Sequence, residues 1–344
     1  QLVSRGHRLY WAGLYKPKQN PLVVEEATNM DLDGNDSGFI NFKKLFHLIS
    51  IIKKNNIEII QANGSDTLKY AVFAKLFNKK VKIIYRNISI VSYWINQSKI
   101  KKLFFNWLVH RVNHVVSVGQ TSKNDFINTY NYPVDKISVI NRGIPIFPLD
   151  KSFQKKELIK KLDIADQTSI LIWAGSLSQE KNPWLMLEIA EELSAKKFPF
   201  VVIICGSGPL EEELKAAVLK RKISNIKFIG YQNEIFPFLS GSDVLVLTSF
   251  IEGVPGIILE AAAQKTPAIA INKGGVSEAI INNETGIVID TYSASEFSNK
   301  IISLLENKNK YELFSKNCYE FVVANYNETQ KTTEFENLYK SILI

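Results

Sequence analysis

Hydrophobic and polar positions follow two repeating patterns along this chain. Short β-branched runs that end in Gly, Ser or Asn alternate with amphipathic segments of helical spacing. Runs such as VVIICG and DVLVLTS are apolar at consecutive positions, which is typical of parallel strands covered by helices on both faces. The pattern therefore predicts an α/β protein with doubly wound sheets.

The predicted strands fall into two groups on either side of GIPIFPLD at residues 143–150, which holds two prolines and a glycine. We expect domains over residues 1–145 and 146–326, and an apolar helical spacing predicts a C-terminal helix within 327–344. The predicted strands are residues 8–13, 57–63, 81–87, 114–119 and 137–141 in the first group, and 169–176, 198–206, 226–230, 243–249, 266–271 and 285–290 in the second.

The beginning of the chain departs from the doubly wound pattern. QLVSRGH reads as the end of a helix that Gly6 stops, and it runs directly into a predicted strand. A doubly wound domain ordinarily opens with a strand and a tight turn before its first helix. We therefore expect an N-terminally truncated chain that lacks the first strand and loop of its first domain.

Charge is spread unevenly over the 344 residues. Residues 1–145 contain 21 Lys and Arg against 9 Asp and Glu, whereas residues 146–344 contain 21 against 25. A basic first half favours a polyanionic partner, either nucleic acid or an anionic membrane surface. Nucleic acid is disfavoured because the sequence has no zinc-finger spacing, RNP-like motif or helix-turn-helix pattern.

Location follows from cysteine usage and hydropathy. Cys205 and Cys318 cannot form a disulfide framework of the secreted type, and no apolar run approaches the roughly 18 residues of a spanning helix. We expect a cytoplasmic protein with peripheral contact at the inner face of the membrane through its basic first domain. The segment SKIKKLFFNWLVHRV at 98–112 is typical of either a membrane-surface helix or a helix packed on a core.

The most informative segment is EGVPGIILE at residues 252–260, directly after a predicted buried strand. Glu260 is a carboxylate within an otherwise apolar helix, which is unfavourable unless it is hydrogen-bonded, and the two hydroxyls of a sugar diol would satisfy it. The helix begins near Pro255 and Gly256, so its free amides favour a phosphate. Glu252 precedes that helix and could bind the hydroxyls of a second sugar. Two surface glutamates are the alternative interpretation.

Three further segments follow predicted strands and suit phosphate or base binding. WAGSLSQEKNP supplies a turn, a lysine and a helix start; CGSGPL supplies two glycines before a helix; FIGY supplies a glycine and an aromatic ring. Each is weak alone, because a solvated lysine, a tight turn or a strand end explains it equally well. The residues concerned are Gly175, Ser176, Lys181, Gly206, Gly208, Gly230 and Tyr231.

These four segments, in this order, resemble the donor half of the family-4 retaining glycosyltransferases, which have the GT-B fold of two Rossmann-like domains facing a central cleft. The first half is similar to the family's acceptor domain through QANGSD at 61–66, VVSVGQTSKNDF at 115–126 and VINRGI at 139–144. The resemblance implies that 327–344 returns to the first domain, and that 146–326 binds the nucleotide sugar.

The resemblance also implies roles for individual residues. Glu260 should hold the ribose, Glu252 the hydroxyls of the transferred sugar, and Lys181 the diphosphate, so Glu252 and Lys181 are the expected catalytic residues. The amides of Gly256 and Ile257, beside Pro255, should support the sugar and the phosphate. The glycines, Ser176 and Tyr231 complete the expected donor site.

Two positions depart from the family pattern. Ser176 stands where members commonly carry an arginine as a second diphosphate cation, so weaker donor binding or a replacement cation is expected. Arg86 and Asn87 stand where many relatives have a histidine near the donor sugar. They are candidates for the acceptor and the cleft, and Arg86 is a candidate for the missing cation, with a salt-bridged edge arginine as the alternative.

The resemblance implies a retaining hexosyltransferase that uses a nucleotide diphosphate sugar, with a UDP-sugar favoured over a GDP-sugar. Its acceptor would be a glycan or a lipid-linked sugar, in cell-surface polysaccharide synthesis. The alternatives are a nucleotide-sugar epimerase of the same fold and a non-catalytic sugar-nucleotide scaffold. No cofactor and no metal is expected, since the histidines show no ligand spacing and DLDGND at 31–36 reads as a polar loop.

Overall fold

The computed structural model describes residues 1–14, 24, 26–32, 40–95 and 98–344. Its strands are β1 Tyr10–Gly13, β2 Thr28–Asp31, β3 Ile59–Asn63, β4 Lys82–Asn87, β5 His114–Ser117, β6 Ile137–Val139, β7 Ser169–Ala174, β8 Phe200–Cys205, β9 Ile226–Gly230, β10 Val244–Leu247, β11 Ala268–Ile271 and β12 Gly286–Ile289. Its helices are α1 Phe42–Lys54, α2 Ser65–Phe77, α3 Val91–Ile95, α4 Lys99–Val109, α5 Gln120–Tyr130, α6 Lys151–Leu162, α7 Pro183–Ala195, α8 Glu211–Lys220, α9 Phe236–Gly241, α10 Gly256–Ala263, α11 Val276–Ala279, α12 Ala294–Leu305, α13 Lys308–Tyr326 and α14 Glu328–Leu343.

The chain divides into two compact units. The first unit is Gln1–Asn141 together with Thr329–Ile344, and the second is Arg142–Glu328. The division falls slightly before the boundary expected after residue 145. Each unit has parallel sheets with helices, the Rossmann-like arrangement expected of the GT-B fold.

In the first unit, strands β3, β4, β5 and β6 form a parallel sheet in that order, and β1 pairs in parallel with β2. Helix α14 packs on this sheet: Phe335, Leu338, Tyr339 and Ile342 contact a buried cluster of Ile84, Val116 and Ile140. The Tyr339 hydroxyl also donates a 2.7 Å hydrogen bond to the Gln61 Oε1. The regularly spaced apolar side chains of α14 therefore cover one face of this sheet.

In the second unit, the parallel sheet has the order β12-β11-β10-β7-β8-β9. Its strands are buried on both faces, as the consecutive apolar runs predict, and every residue of β8 is buried. The strand order reverses between β10 and β7. In open α/β sheets, ligands bind at such a switch point, outside the carboxyl ends of the strands.

The predicted strands are all present: β9 has the predicted bounds, and the others are shorter by one to a few residues. The short TNMD strand β2 was not predicted, because it has no apolar alternation that separates it from a loop. Gly6 ends a turn of 3₁₀-helix, Val3–Arg5, in the left-handed conformation, as expected of a helix stop. Within the part of the chain that the structure describes, no helix has both the length and the apolar character needed to cross a membrane.

Candidate functional site

The expected phosphate-binding turns lie at one edge of the second unit's sheet. Gly175 follows β7, Gly206 follows β8 and Gly230 ends β9, so all three stand at carboxyl ends of neighbouring parallel strands. Their backbones are joined directly: the Gly175 amide donates to the Cys205 carbonyl at 3.0 Å, and the Gly206 amide donates to the Gly230 carbonyl at 2.9 Å. These turns therefore form one continuous rim of backbone.

Close contact between the turns requires glycine at two positions, Gly206 and Gly208. Gly206 has a φ of +143°, and a Cβ atom there would collide with the Gly175 carbonyl. A Cβ atom on Gly208 would collide with the backbone of Leu177, whose carbonyl accepts a 2.9 Å hydrogen bond from the Leu210 amide. The GxGPL turn thus packs backbone to backbone against the loop that carries Ser176 and Lys181.

Lys181 and Glu252 meet in this site. The Lys181 Nζ donates a 2.7 Å hydrogen bond to the Glu252 Oε1, and the Glu252 side chain is only 8% exposed. Lys181 is held through its own backbone, because the Thr248 hydroxyl lies 2.8 Å from the Asn182 carbonyl and 3.1 Å from that of Lys181. A cation and a carboxylate therefore stand together after β7 and β10, the two strands at the switch point.

The loop after β10 is fastened to the neighbouring loops by its backbone. The Phe250 amide donates to the Glu180 carbonyl at 2.8 Å, and the Gly275 amide donates to the Gly253 carbonyl at 2.9 Å. Gly274 has a φ of +59°, and a Cβ atom there would collide with the Glu252 carbonyl. The position of Glu252 thus depends on the KGGVSE turn as well as on its own loop.

Helix α10 begins at Gly256, four positions after Glu252. Its N-cap is Pro255, which supplies no side-chain cap, and no acceptor for the amides of Gly256 and Ile257 occurs in the described residues. Free amides at the start of a helix are hydrogen-bond donors for an anion, and the helix dipole adds a positive field. The helix start is therefore suited to the phosphate or sugar oxygens expected from the sequence.

Glu260 is held by a residue that the sequence analysis did not single out. The Arg142 Nη2 lies 2.7 Å from the Glu260 Oε1, while Glu260 is 13% exposed and Arg142 is 55% exposed. Arg142 belongs to the VINRGI turn, which was interpreted as part of the first domain, yet it lies in the second unit. In the sequence, Arg142 is a single arginine in a turn, and nothing near it indicates a contact with α10.

Two further donor-site candidates, Ser176 and Tyr231, lie on the same rim. Ser176 is exposed, and its carbonyl accepts a 2.8 Å hydrogen bond from the Ser178 amide. Tyr231 directly follows β9 and is exposed. An exposed aromatic ring after Gly230 is available for stacking on a flat base.

An aromatic pair at this edge was also missed. The rings of Phe250 and Tyr292 are 5.0 Å apart, and the Lys273 Nζ lies 5.7 Å from the centre of the Tyr292 ring. Both rings are partly exposed, after β10 and β12 respectively. Their separation in sequence, 42 positions, gives no indication of this contact.

Arg86 and Asn87 lie at the end of β4 in the first unit, not in the second. The Arg86 guanidinium lies 5.6 Å from the centre of the Phe335 ring on α14. Asn87 is fully buried, and its amide nitrogen donates to the Ser122 carbonyl at 3.3 Å. This placement favours a positioning role for Asn87 within its own unit, whereas Arg86 stays a candidate for the acceptor.

The structure describes only part of the DLDGND segment. Residues 33–36 of the DLDGND segment lie outside the described residues. Among the residues that are described, no cluster of three His, Cys, Asp or Glu side chains could hold a metal ion. Burial raises the pKa of the Cys205 thiol to about 12, so this cysteine is a neutral core side chain next to the site.

Known families match both halves of the chain. Residues 154–321 match the model of the glycosyl transferases group 1, and residues 1–146 match that of glycosyltransferase family 4. The chain is 25% identical over 317 residues to a UDP-Gal:α-D-GlcNAc-diphosphoundecaprenol α-1,3-galactosyltransferase of Escherichia coli, covering 88% of this chain and 80% of that protein. It is 27% identical over 320 residues to an N,N'-diacetylbacillosaminyl-diphospho-undecaprenol α-1,3-N-acetylgalactosaminyltransferase of Campylobacter jejuni, covering 89% and 82%.

Solved structures agree on the fold. The Anabaena protein HepE, crystallised in complex with UDP-glucose, superposes with a TM-score of 0.78 at 18% identity over 87% of this chain and 82% of that one. A glycosyltransferase from Rickettsia africae gives 0.80 at 20% identity over 99% and 92%. With a family model matching each half and glycosyltransferases among its relatives, this chain belongs to the family-4 glycosyltransferases of GT-B fold and is a hexosyltransferase.

Proposed function

We propose that the second unit binds a nucleotide diphosphate sugar at the carboxyl edge of its sheet, and that the enzyme transfers the hexosyl group with retention of anomeric configuration. The observation that carries this proposal is the Lys181–Glu252 pair, together with the uncapped start of α10 four positions after Glu252. In the proposed complex, a cation, a carboxylate and two free amides surround the glycosyl diphosphate. Glu260 on α10 supplies a second carboxylate for the ribose diol.

Each of these residues has a separate task in transfer. Charge develops on the diphosphate as the glycosidic bond breaks, and Lys181 and the Gly256 and Ile257 amides stabilise it by preorganised hydrogen bonds. Glu252 accepts hydrogen bonds from hydroxyls of the transferred sugar and fixes its orientation. A diphosphate oxygen accepts the proton of the attacking acceptor hydroxyl on the same face, so the scheme uses no protein base.

The nucleotide is proposed to carry uridine. The Anabaena neighbour was crystallised with UDP and with UDP-glucose, and the Escherichia coli relative is named for UDP-Gal. Gly230 and Tyr231, at the end of β9, offer an exposed ring for the base. A GDP-sugar is the second candidate. Comparing the affinities of the chain for UDP and GDP tests which base it binds.

The acceptor is proposed to be a sugar linked to a lipid diphosphate, in the synthesis of a cell-surface glycan. The Escherichia coli and Campylobacter jejuni relatives are named for diphosphoundecaprenol acceptors, and each is covered over about four-fifths of its length. A lipid-linked acceptor requires the enzyme to work at a membrane surface. The first unit presents a surface with the chemistry for this.

That surface is made by α1, α2 and α4, and we call it the lysine-rich aromatic face. It is continuous: the Phe46 and Phe77 rings are 6.4 Å apart, and those of Phe73 and Trp107 are 5.9 Å apart. The exposed apolar side chains are Phe42, Phe46, Leu76, Phe77, Ile100, Leu103 and Trp107. Such a cluster of large exposed apolar groups indicates an interaction surface.

Charge favours an anionic partner for this face. The three helices contain nine lysines, of which Lys44 is buried, and a single acidic residue, Asp66, which is paired with Lys69 at 3.0 Å. The Arg111 guanidinium lies 3.8 Å from the centre of the Trp107 ring, at the border between the apolar and basic parts. Apolar side chains within a cationic surround match an anionic lipid surface. We therefore assign peripheral membrane binding at the cytoplasmic face to this surface.

Incubation with labelled UDP-sugars and a bacterial lipid extract tests the function. We expect the label to enter the organic phase from one UDP-sugar, in an α-linkage when the donor is α-linked. Label recovered only as free sugar would reject the lipid-linked acceptor. Inversion of the anomeric configuration would reject the same-face mechanism.

A further inference from the structure

We propose that Arg142 is the second diphosphate cation of this enzyme and replaces the charge that is missing at Ser176. The inference rests on the proposed nucleotide-sugar site and assigns one more residue to it. In the structure, Arg142 is paired with Glu260, the proposed ribose ligand. Binding of the nucleotide would exchange these partners: the ribose diol takes Glu260, and the diphosphate takes Arg142.

The position of the guanidinium supports this role. Arg142 lies against Gly256, the first residue of α10, so closely that a Cβ atom there would collide with the Arg142 Nη1. A side chain at this position would displace the guanidinium from the helix start. The same helix start carries the free amides that are proposed to meet the diphosphate. Arg142 and these amides therefore face one location.

The electrostatics of that location favour an anion. A cation at the N-terminus of a helix experiences repulsion from the positive end of the helix dipole, and here the ion pair with Glu260 offsets it. Lys181 is likewise neutralised by Glu252. When sugar hydroxyls take over the two carboxylates, both cations are released toward the same negative ligand. A diphosphate then gains two charge-assisted hydrogen bonds, and a guanidinium can bind it in bidentate fashion.

This exchange predicts a specific selectivity. A nucleoside without phosphate must displace Arg142 from Glu260 and gives Arg142 no new partner. A nucleoside diphosphate gives Arg142 a stronger partner than the one it loses. Arg142 therefore weakens the binding of uridine and strengthens the binding of UDP. A residue that only holds the fold would change both affinities in the same direction.

Calorimetric titration of UDP and uridine into the wild-type chain, Arg142→Met and Arg142→Lys tests the proposal. We expect Arg142→Met to weaken UDP binding by about 10- to 100-fold, and to tighten uridine binding. Arg142→Lys should retain part of the UDP affinity. Adding Ser176→Arg to Arg142→Met should restore UDP binding, because it returns a cation to the rim.

Arg221→Met is the matched control, since Arg221 in the same unit is paired with Glu191 at 3.3 Å on the helical surface. Tighter binding of both ligands by Arg142→Met would overturn the proposal, because Arg142 would then only compete with the ligands for Glu260. Equal binding by wild type and Arg142→Met would overturn it as well and leave the proposed donor site intact. A folded wild-type chain that binds no nucleotide diphosphate would reject the donor site itself.

Discussion

The Lys181 ammonium and the Glu252 carboxylate are 2.7 Å apart although 71 positions separate them in the chain. The pair exists because β7 and β10 are neighbours in the sheet, so the loops that follow them meet. In the proposed reaction, Lys181 stabilises the leaving diphosphate. We expect Lys181→Met to lower kcat about 100- to 1,000-fold, the usual effect of removing one preorganised donor, as measured by UDP release from a UDP-sugar with lipid extract.

Loss of Lys181 also leaves a buried carboxylate without its cation, which lowers stability. The double variant Lys181→Met/Glu252→Gln removes both charges and should recover the melting temperature without recovering kcat. Lys155→Met is the matched control, because Lys155 pairs with Asp243 at 2.8 Å with similar exposure. If Lys181→Met kept full kcat in folded protein, Lys181 would have no part in transfer.

Gly274 supports Glu252 from the neighbouring turn. Gly274→Ala combines a left-handed backbone with a collision against the Glu252 carbonyl, so it should displace the catalytic loop. Gly6→Ala has the same kind of backbone, with a φ of +91° and nothing near the new methyl group. We expect Gly6→Ala to cost about 1 kcal/mol and to leave activity unchanged. Gly274→Ala should cost more and reduce kcat, as measured by thermal melting and UDP release; equal effects of the two variants would show that the contact is unimportant.

The lysine-rich aromatic face should bind anionic vesicles. We expect the chain to sediment with phosphatidylcholine vesicles that contain about one third phosphatidylglycerol, and not with pure phosphatidylcholine, because each lysine near the surface adds about 1 kcal/mol. Phe46→Ser with Leu103→Ser should abolish sedimentation. Leu219→Ser, an exposed position in the second unit, is the control. Binding that is unaffected by the double variant would place the membrane contact elsewhere or reject it.

Lys151 predicts a dependence of stability on pH. Its Nζ contacts the carbonyls of Ser240 and Ser242 and the Thr266 hydroxyl, and burial lowers its pKa to about 8. The folded state therefore releases this proton at lower pH than the unfolded state, and the group raises the free energy of unfolding as pH rises from about 8 to 10.5. We expect the melting temperature of wild type relative to Lys151→Met to rise over this range. A constant difference would show that Lys151 has an ordinary pKa in the folded protein.

Much of the fold follows from local pattern alone. Strands buried on both faces, such as β8 and β10, can be predicted from the sequence because such strands consist of consecutive apolar residues. The strand β2 was missed because TNMD has no such pattern, and its pairing with β1 comes from tertiary contacts.

The site was only partly predictable for the same reason. Glu252, Glu260 and Lys181 were predicted as site residues because they lie in short segments that resemble a family pattern. Each of these segments is continuous in the sequence. Arg142 was missed because its contacts with Glu260 and Gly256 join a turn to a helix start more than a hundred positions later in the chain. Asn87 was predicted as a cleft candidate because it stands, with Arg86, where many relatives have a histidine. Its burial depends on packing against α5, which the strand pattern does not reveal.

Isothermal titration with UDP, GDP and ADP, using the wild-type chain and Glu260→Ala, tests the proposed donor site. We expect UDP to bind with the highest affinity, and Glu260→Ala to weaken UDP binding by about 10-fold or more through loss of hydrogen bonds to a charged group. A cooperatively melting wild-type chain that binds none of the three nucleotides would contradict the donor-site assignment. Tight binding that Glu260→Ala leaves unchanged would contradict the role of Glu260 at the ribose.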